Sequence, residues 1–483
     1  MNSSRRQFLQ KTGAAALLAA TGLENNAFAQ ERPNILWILG EDLCPDLGCY
    51  GNKLVHTPNI DQLASEGVRF TNAFTTAPVC SAARSAFMTG MYQTSIGAHN
   101  HRSHRKDGYR LPSGVRLVTD YFRDAGYFTC NVKTIAPGHK GTAKTDFNFK
   151  VDKPFDGTDW NQRREGQPFF AQINLHEAHR KFKRAQDNPV NPDDVDIPPY
   201  YPDHPITRRD WADYLDTIGY LDKNIGVILE RLKNEGLADN TVVLFMGDHG
   251  RCHVRGKQWL YDGGIHVPLI VRWPGKIRAE QVRDEMVSSI DVTATLLKTA
   301  GIEPPNSMEG QVFLGPNRDQ EREYIIAARD RCDETVDCIR CVRSKDFKYI
   351  RNYLPERPYS QLNRYKECSY PVLRLMRRLN KAGKLTPAQA RFMAPVRPKE
   401  ELYDLRNDPH EIHNLAGDAN SADTLNKMRG ILDQWVKDTG DQGQTLEEPS
   451  IHEFHLKALK KNYDKRLKKL YDDERMKLED INL

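Results

Sequence analysis

Three apolar runs that stop abruptly at charged or imidazole side chains constrain this chain more than any other feature. "NILWILGEDL" is unbroken from Ile35 to Leu39 and meets Glu41 and Asp42 just past Gly40. "TVVLFMGDHG" is apolar from Val242 to Met246 and then turns to Asp248 and His249, while "PFFAQINLHEAH" ends in His176 and His179. A short run without polar alternation, bounded by Pro or Gly, reads as a strand buried on both faces, the kind found in parallel sheets. Ligands of open α/β sheets collect beyond the carboxyl ends of the strands. Three separate strands therefore aim polar chemistry at one rim.

The segments between these runs read as helices. "TPNIDQLASEGV" puts Thr57 at the cap and Pro58 at the first position, and "LVTDYFRDAGY" follows. "ADYLDTIGYLDKNIGVILERLKNEG" keeps Leu215, Ile218, Leu221, Ile225, Ile228, Leu229 and Leu232 at near-helical spacing and ends on a glycine. "SIDVTATLLKTAG" adds a helix with Asp291 near its start. Such alternation predicts an α/β fold, a large sheet with helices on both faces. After about residue 315 the pattern changes to short candidate strands, "YIIAARDR", "CIRCVRS", "FKYIRN" and "ELYDL", which predict a small antiparallel sheet. The chain thus divides into an α/β catalytic domain at 30–315, an antiparallel-sheet subdomain at 316–445 and a basic helical tail at 446–483. Leu456 to Lys469 carries seven basic residues against Asp464, and "VLRLMRRLNKAGK" is a second basic helix. Both read as solvated helical faces, with contact to an anionic polymer as the alternative.

Residues 1–29 combine Arg5-Arg6, an apolar stretch from Ala14 to Ala20 and small residues at Ala27 and Ala29. This is an export signal of twin-arginine type, so the mature protein is expected in the periplasm or outside the cell, with a mitochondrial-type peptide as the alternative. No other run is long enough for a membrane helix. Net charge is +5, of which the signal carries +2, leaving +3. That is too slight to call for nucleic acid. Nine cysteines leave at least one unpaired, and Cys332, Cys338 and Cys341 form a zinc-like pattern without a fourth ligand.

"PVCSAARSAFMTG" puts Cys80 at the mouth of a helix with Arg84 one turn on. Unpaired amides and the helix dipole at that end stabilise a thiolate or another anion. Glu41, Asp42, Asp248 and His249 offer three carboxylates and an imidazole from two distant strand ends, a combination that suits one metal site.

From Pro33 to about Leu415 the chain resembles the type I sulfatases of the alkaline phosphatase superfamily. "PNILWILGEDL" is similar to the family's opening strand and metal-binding acids, and "TPNIDQLASEGVRFTNAF" to the helix and turn that follow. "CSAAR" matches its Cys-x-(Pro/Ala)-x-Arg signature, and "GDHG", "GGIHVPLIV" and "ELYDLRNDPHEIHNL" continue in the family's order. "VDIPPYYPDHPITRRDWADYL" further resembles the branch containing the heparan N-sulfoglucosamine sulfohydrolase.

The resemblance implies an alkaline phosphatase-like fold and a sulfated saccharide as substrate. It also implies that a formylglycine-generating enzyme oxidises Cys80 to formylglycine, whose hydrate is a gem-diol. One hydroxyl attacks sulfur and the other later expels sulfate by re-forming the carbonyl. By the same resemblance Glu41, Asp42, Asp248 and His249 hold a divalent cation, Arg84 holds the diol, Lys257 contacts sulfate and His179 is the general acid. Most family members have Asp where this chain has Glu41, and Asn where it has His249. Calcium is the expected ion, and the imidazole opens manganese or zinc. The family's Lys-x-His element is replaced by "KTIAPGHKGTAKTDFNF", in which Lys144 with Asp146 is the preferred substitute and Lys133 with His139 the competitor. His56, His99, His101 and His104 read as rim or structural residues, and His176, His253 and Arg255 stay outside the inner site. The alternatives in function are a phosphodiesterase or phosphonate monoester hydrolase of the same superfamily, and a non-catalytic glycan-binding relative.

Overall fold

The structure, a computed structural model, describes residues 32–104 and 107–473 of the 483-residue chain. The export signal read at 1–29 and the last part of the tail, 474–483, lie outside the described residues.

The strands run β1 (Asn34–Gly40), β2 (Val68–Phe74), β3 (Phe128–Asn131), β4 (Thr134–Ala136), β5 (His139–Lys140), β6 (Phe169–Leu175), β7 (Thr241–Gly247), β8 (Leu269–Arg272) and β9 (Gln281–Ser288). Seven of them form one sheet in the order β3-β6-β1-β7-β8-β2-β9, and β4 with β5 makes a separate hairpin. β3, β6, β1 and β7 are parallel, as are β2 and β9. β8 runs against both its neighbours. The connection from β7 to β8 carries only the four-residue helix Asp262–Ile265 instead of a crossover helix, and the chain returns antiparallel.

Helices α1 (Pro58–Ser65), α2 (Cys80–Thr89), α3 (Val118–Asp124), α4 (Pro205–Asn234) and α5 (Asp291–Thr299) cover the two faces. Leu36 and Ile38 of β1 share a core with Ile60 and Leu63 of α1 and Leu215, Ile218 and Leu221 of α4. Ile35, Trp37 and Leu39 face the other core, with Phe87 of α2, Phe122 of α3 and Leu296 of α5. Burial of both faces is why the strand has no polar alternation. α4 starts earlier than its apolar repeat, because Pro205 takes the first position and the His204 side chain accepts from the Ile206 amide. Thr57 sits at the cap of α1, yet its hydroxyl accepts from the Gly48 amide and donates to the Asp61 carboxylate, tying a neighbouring loop to the helix without capping a helix amide.

β10 (Tyr324–Arg329), β11 (Ile339–Ser344), β12 (Phe347–Asn352) and β13 (Glu400–Asp404) form the expected antiparallel sheet. Between β12 and β13 lie α6 (Arg364–Ser369) and α7 (Pro371–Lys381), and α8 (Ala422–Thr439) and α9 (Pro449–Asp473) follow. One sheet face packs Ile326, Val342, Tyr349 and Leu402 on Leu425, Leu432 and Trp435 of α8. The other joins the core that holds β1 and α4, so hydrophobic packing runs unbroken past residue 315.

The tail helix α9 is docked. Leu467 and Tyr471 are buried with Cys368 of α6, the Tyr471 hydroxyl donates to Glu367, and Arg364 pairs with Asp464. Its lysines stay exposed. All nine cysteines are free, and Cys332, Cys338 and Cys341 form no metal cluster among the described residues. No described helix is long and apolar enough to cross a membrane.

Leu467→Ala should weaken the α9 docking by about 2–5 kcal/mol. Hydrogen exchange should then quicken in Arg364–Ser369 and Pro449–Asp473; unchanged protection would show that the apolar pair does not hold the tail.

Candidate active site

Strand register assembles the site. Gly40 of β1 pairs with Leu175 of β6 on one side and Gly247 of β7 on the other, so Glu41, His176 and Asp248 leave the sheet at one level. The Glu41 amide donates to the Leu175 carbonyl and the Asp248 amide to that of Gly40, which extends the ladder one step into the loops. At Asp42 the backbone turns left-handed, with φ of 56°, a conformation that Asp tolerates better than most residues. The Asp42 and His249 amides both donate to Asp248 Oδ1, at 3.0 and 2.9 Å, so the two strand ends are tied together through one carboxylate.

Cys80 is the first residue of α2, a helix whose ten residues are all buried. Its Sγ lies 3.2 Å from His249 Nε2 and 3.4 Å from Lys257 Nζ. Arg84, one turn on, places its guanidinium 3.0 Å from Asp248 Oδ2, 3.5 Å from Glu41 Oε1 and 2.5 Å from Asn174 Oδ1. The sequence spacing of cysteine and arginine thus brings both groups to the same dry rim.

Opposite charges balance there. Lys257 Nζ donates to both Asp42 oxygens at 2.9 and 3.0 Å, and His249 Nε2 is 3.0 Å from Asp42 Oδ1. Burial alone would raise Asp42, but Lys257, His179 and His249 hold its carboxyl well below the usual range. Burial would likewise push the Cys80 thiol up, and Lys144, Lys257 and His249 outweigh it, leaving the thiol below its ordinary value. For His249 burial is opposed by Asp248, Cys80 and Asp42, which push the imidazole up to about 10. Its Nδ1 donates to the Gly250 carbonyl, turning Nε2 into the site.

This donor set fits a divalent cation. Ligand atoms of Asp42, Cys80 and His249 lie within 4.8 Å of one another, and Asp248 Oδ1 is 3.7 Å from His249 Nε2. Glu41 Oε1 is buried without a hydrogen-bond partner. Three carboxylates suit a hard ion, and the imidazole nitrogen widens the choice toward manganese or zinc.

Of the three candidates for the replaced Lys-x-His element, Lys144 reaches the cluster, with Nζ 2.9 Å from Glu41 Oε2. Asn131 and Asn174 donate to its carbonyl and fix the loop. Lys133 is exposed, and His139 on the β4–β5 hairpin is bonded through Nδ1 to Asn224 Oδ1 at 2.7 Å. His179 Nε2 is 3.7 Å from Asp42 Oδ2 at the partly open mouth. Asp42 would raise this imidazole, but burial and Lys257 outweigh it and hold it below the ordinary value. His253 is enclosed by Trp211, Phe182 and Tyr214, Arg255 binds the carbonyls of His410 and Glu411, and His176 is exposed.

Sequence reasoning missed four participants. The Cys252 thiol donates to Asp42, a contact that no spacing announces. Asn174 was visible as a polar residue inside an apolar strand, and its amide also donates to Asn131. His101, read as a rim residue, is buried with Nδ1 2.8 Å from Ser81 Oγ and Nε2 3.7 Å from Asp333. Asp333 comes from the loop between β10 and β11 and is held by Gln258 and Asn363.

The sulfatase family profile matches residues 33–302, more than half of the chain, and one described as N-sulphoglucosamine sulphohydrolase, C-terminal, matches 247–367. The chain is 35% identical to an ulvan-active sulfatase of Formosa agariphila, over 88% of this chain and 78% of that protein. It is 27% identical to human N-sulphoglucosamine sulphohydrolase, over 88% and 93% of the two chains. The phosphonate monoester hydrolase of Agrobacterium radiobacter superposes with a TM-score of 0.63 at 19% identity, covering 84% of this chain and 96% of that one, a likeness of fold alone. The chain belongs to the sulfatase family. It is a sulfuric ester hydrolase.

Arg84→Ala would leave Asp248 and Glu41 buried without their guanidinium. Removing one partner of a buried pair costs about 3–5 kcal/mol. Denaturation of chelator-treated protein should show that loss, and a loss below about 1 kcal/mol would mean that the guanidinium does not balance these carboxylates.

Proposed function

We propose that this enzyme removes sulfate, O- or N-linked, from a sulfated glycan outside the cytoplasm. Cys80 is converted to formylglycine before export directed by residues 1–29. Glu41, Asp42, Asp248 and His249 hold a divalent cation, calcium in the first instance. The observation that carries this reading is the position of Cys80 Sγ, 3.2 Å from His249 Nε2 and 3.4 Å from Lys257 Nζ, beside carboxylates from two strand ends. The names of two relatives, an ulvan-active sulfatase and an N-sulphoglucosamine sulphohydrolase, support a saccharide substrate.

The hydrated aldehyde would supply an oxygen nucleophile, and a divalent cation held by Glu41, Asp42, Asp248 and His249 would supply Lewis-acid stabilisation of charge on the sulfate. Arg84 orients the side chain at position 80 and offsets its charge as a rigid fork of donors. Lys257 Nζ, already directed at Cys80 and Asp42, binds a sulfate oxygen. Lys144, anchored on Glu41, adds positive charge beside that carboxylate. With Nδ1 donating to the Arg180 carbonyl, His179 at the mouth delivers the proton that the departing sugar oxygen or nitrogen requires from Nε2 of its doubly protonated, imidazolium form, and returns to the neutral ring.

The peptide containing Cys80 from the native host should be lighter than the thiol form by about 18 Da. Cys80→Ala should leave the melting temperature nearly unchanged and lower aryl sulfate turnover at least about a thousandfold, because the nucleophile goes and no buried charge is unpaired. An unconverted thiol, or phosphonate turnover much faster than sulfate turnover, would overturn the proposal in favour of a binding relative or a phosphonate hydrolase. Chelation should abolish turnover, with recovery on adding calcium or manganese; full activity after exhaustive chelation would remove the metal from the account.

A further inference from the structure

At the opposite end of the large sheet the structure holds an open cleft of about 890 Å³. Its walls are the starts of β1 and β7 at Arg32 and Asn240, the turn between β8 and β9, and the end of α5. β1 and β7 are each seven residues long. At ~3.3 Å per residue the cleft lies ~20 Å from the catalytic rim. Its volume falls within the ~300–1,000 Å³ typical of ligand sites.

The charge of this cleft is one-sided. Arg32, Lys276 and Arg278 line it without a carboxylate partner among the described residues; the Arg32 guanidinium donates only to the Ala125 carbonyl. Arg283 and Lys298 also line it, paired with Glu285 and Glu303, and Asp239 is the acid in the lining. Arg32 precedes β1, Lys276 and Arg278 share the turn between β8 and β9, Arg283 is on β9 and Lys298 on α5, so the positive charge is distributed over several walls of the cleft. A lone phosphate is held by a focused cradle of donors, usually backbone amides. A spread of charge suits an anion whose charges are themselves spaced along a chain. Half-buried Trp273, flanked by Pro274 and with Gly315 near its ring, offers an apolar surface for the face of a sugar ring.

We infer that this cleft is a second, non-catalytic site for an anionic polysaccharide, with sulfate or carboxylate groups on Arg32, Lys276 and Arg278 and sugar rings on Trp273. The inference rests on the glycan-sulfatase reading and deepens it: the substrate is a polymer, and a strand held at the distal cleft raises the concentration of its other residues near the catalytic rim.

The test measures calorimetric binding to Cys80→Ala protein, in which turnover cannot alter the ligand. Ulvan is the anionic polymer, dextran the neutral control and inorganic pyrophosphate the compact anion. Lys276→Ser with Arg278→Ser, both at exposed positions, should weaken ulvan binding at least about fivefold, with loss concentrated at low salt. The same pair in the enzyme that keeps Cys80 should leave aryl sulfate kcat/KM unchanged, which also reports an intact fold. Ulvan affinity unmoved by the double substitution, or dextran or pyrophosphate bound as tightly as ulvan, would overturn the inference. Loss of ulvan binding in a protein that hydrolyses no aryl sulfate would instead overturn the catalytic reading and leave the cleft standing.

Discussion

The contact on which the site depends is the buried carboxylate of Asp42, ringed by Lys257 Nζ, His249 Nε2 and the Cys252 thiol. Moving a carboxylate out of water costs several kcal/mol even after relaxation, so it persists in a dry rim only with partners close on every side. Those partners come from the loop after β7, while Asp42 follows β1. In-register pairing of β1 with β6 and β7 is what lets them meet. The sheet core and the candidate site are therefore one construction: the apolar strands, buried on both faces, pair in a fixed register, and the register fixes which polar residues share the rim.

The C-terminal antiparallel sheet and its loops do more than cap the large sheet. The smaller sheet shares a core with β1 and α4, and its loop brings Asp333 to His101 beside the start of α2. α6 contributes Lys366, which donates to the Lys257 carbonyl at 2.7 Å. The lysine directed at Cys80 is thus braced by that helix. The geometry of the rim consequently depends on this interface, and loosening α6 or α9 would be felt there.

Much of this was legible in the sequence, and the reasons are physical. Apolar runs stopping at acids or histidines identified β1, β6 and β7, and with them the positions of Glu41, Asp42, Asp248 and His249. The short strands after residue 315 showed as brief candidate strands separated by polar turns. Edge strand β9 was not read, since its first half alternates exposed and partly buried polar residues around Val282 and resembles a loop. The start of α4 was missed because its first turns are polar and owe their helicity to His204 and Pro205. Lys144 was one of three candidates because its loop has no periodicity; left-handed turns at Ala143 and Asp146 set its course. Cys252 gave no signal, because what matters is its contact with a carboxylate 210 positions away in the chain.

Anomalous diffraction from crystals of the host-matured enzyme, grown with manganese, tests the central claim most directly. The account predicts a single metal peak bounded by the side chains of Glu41, Asp42, Asp248 and His249, with oxygen instead of sulfur at the end of residue 80. A peak elsewhere, or an intact thiol at position 80 in active enzyme, would contradict it.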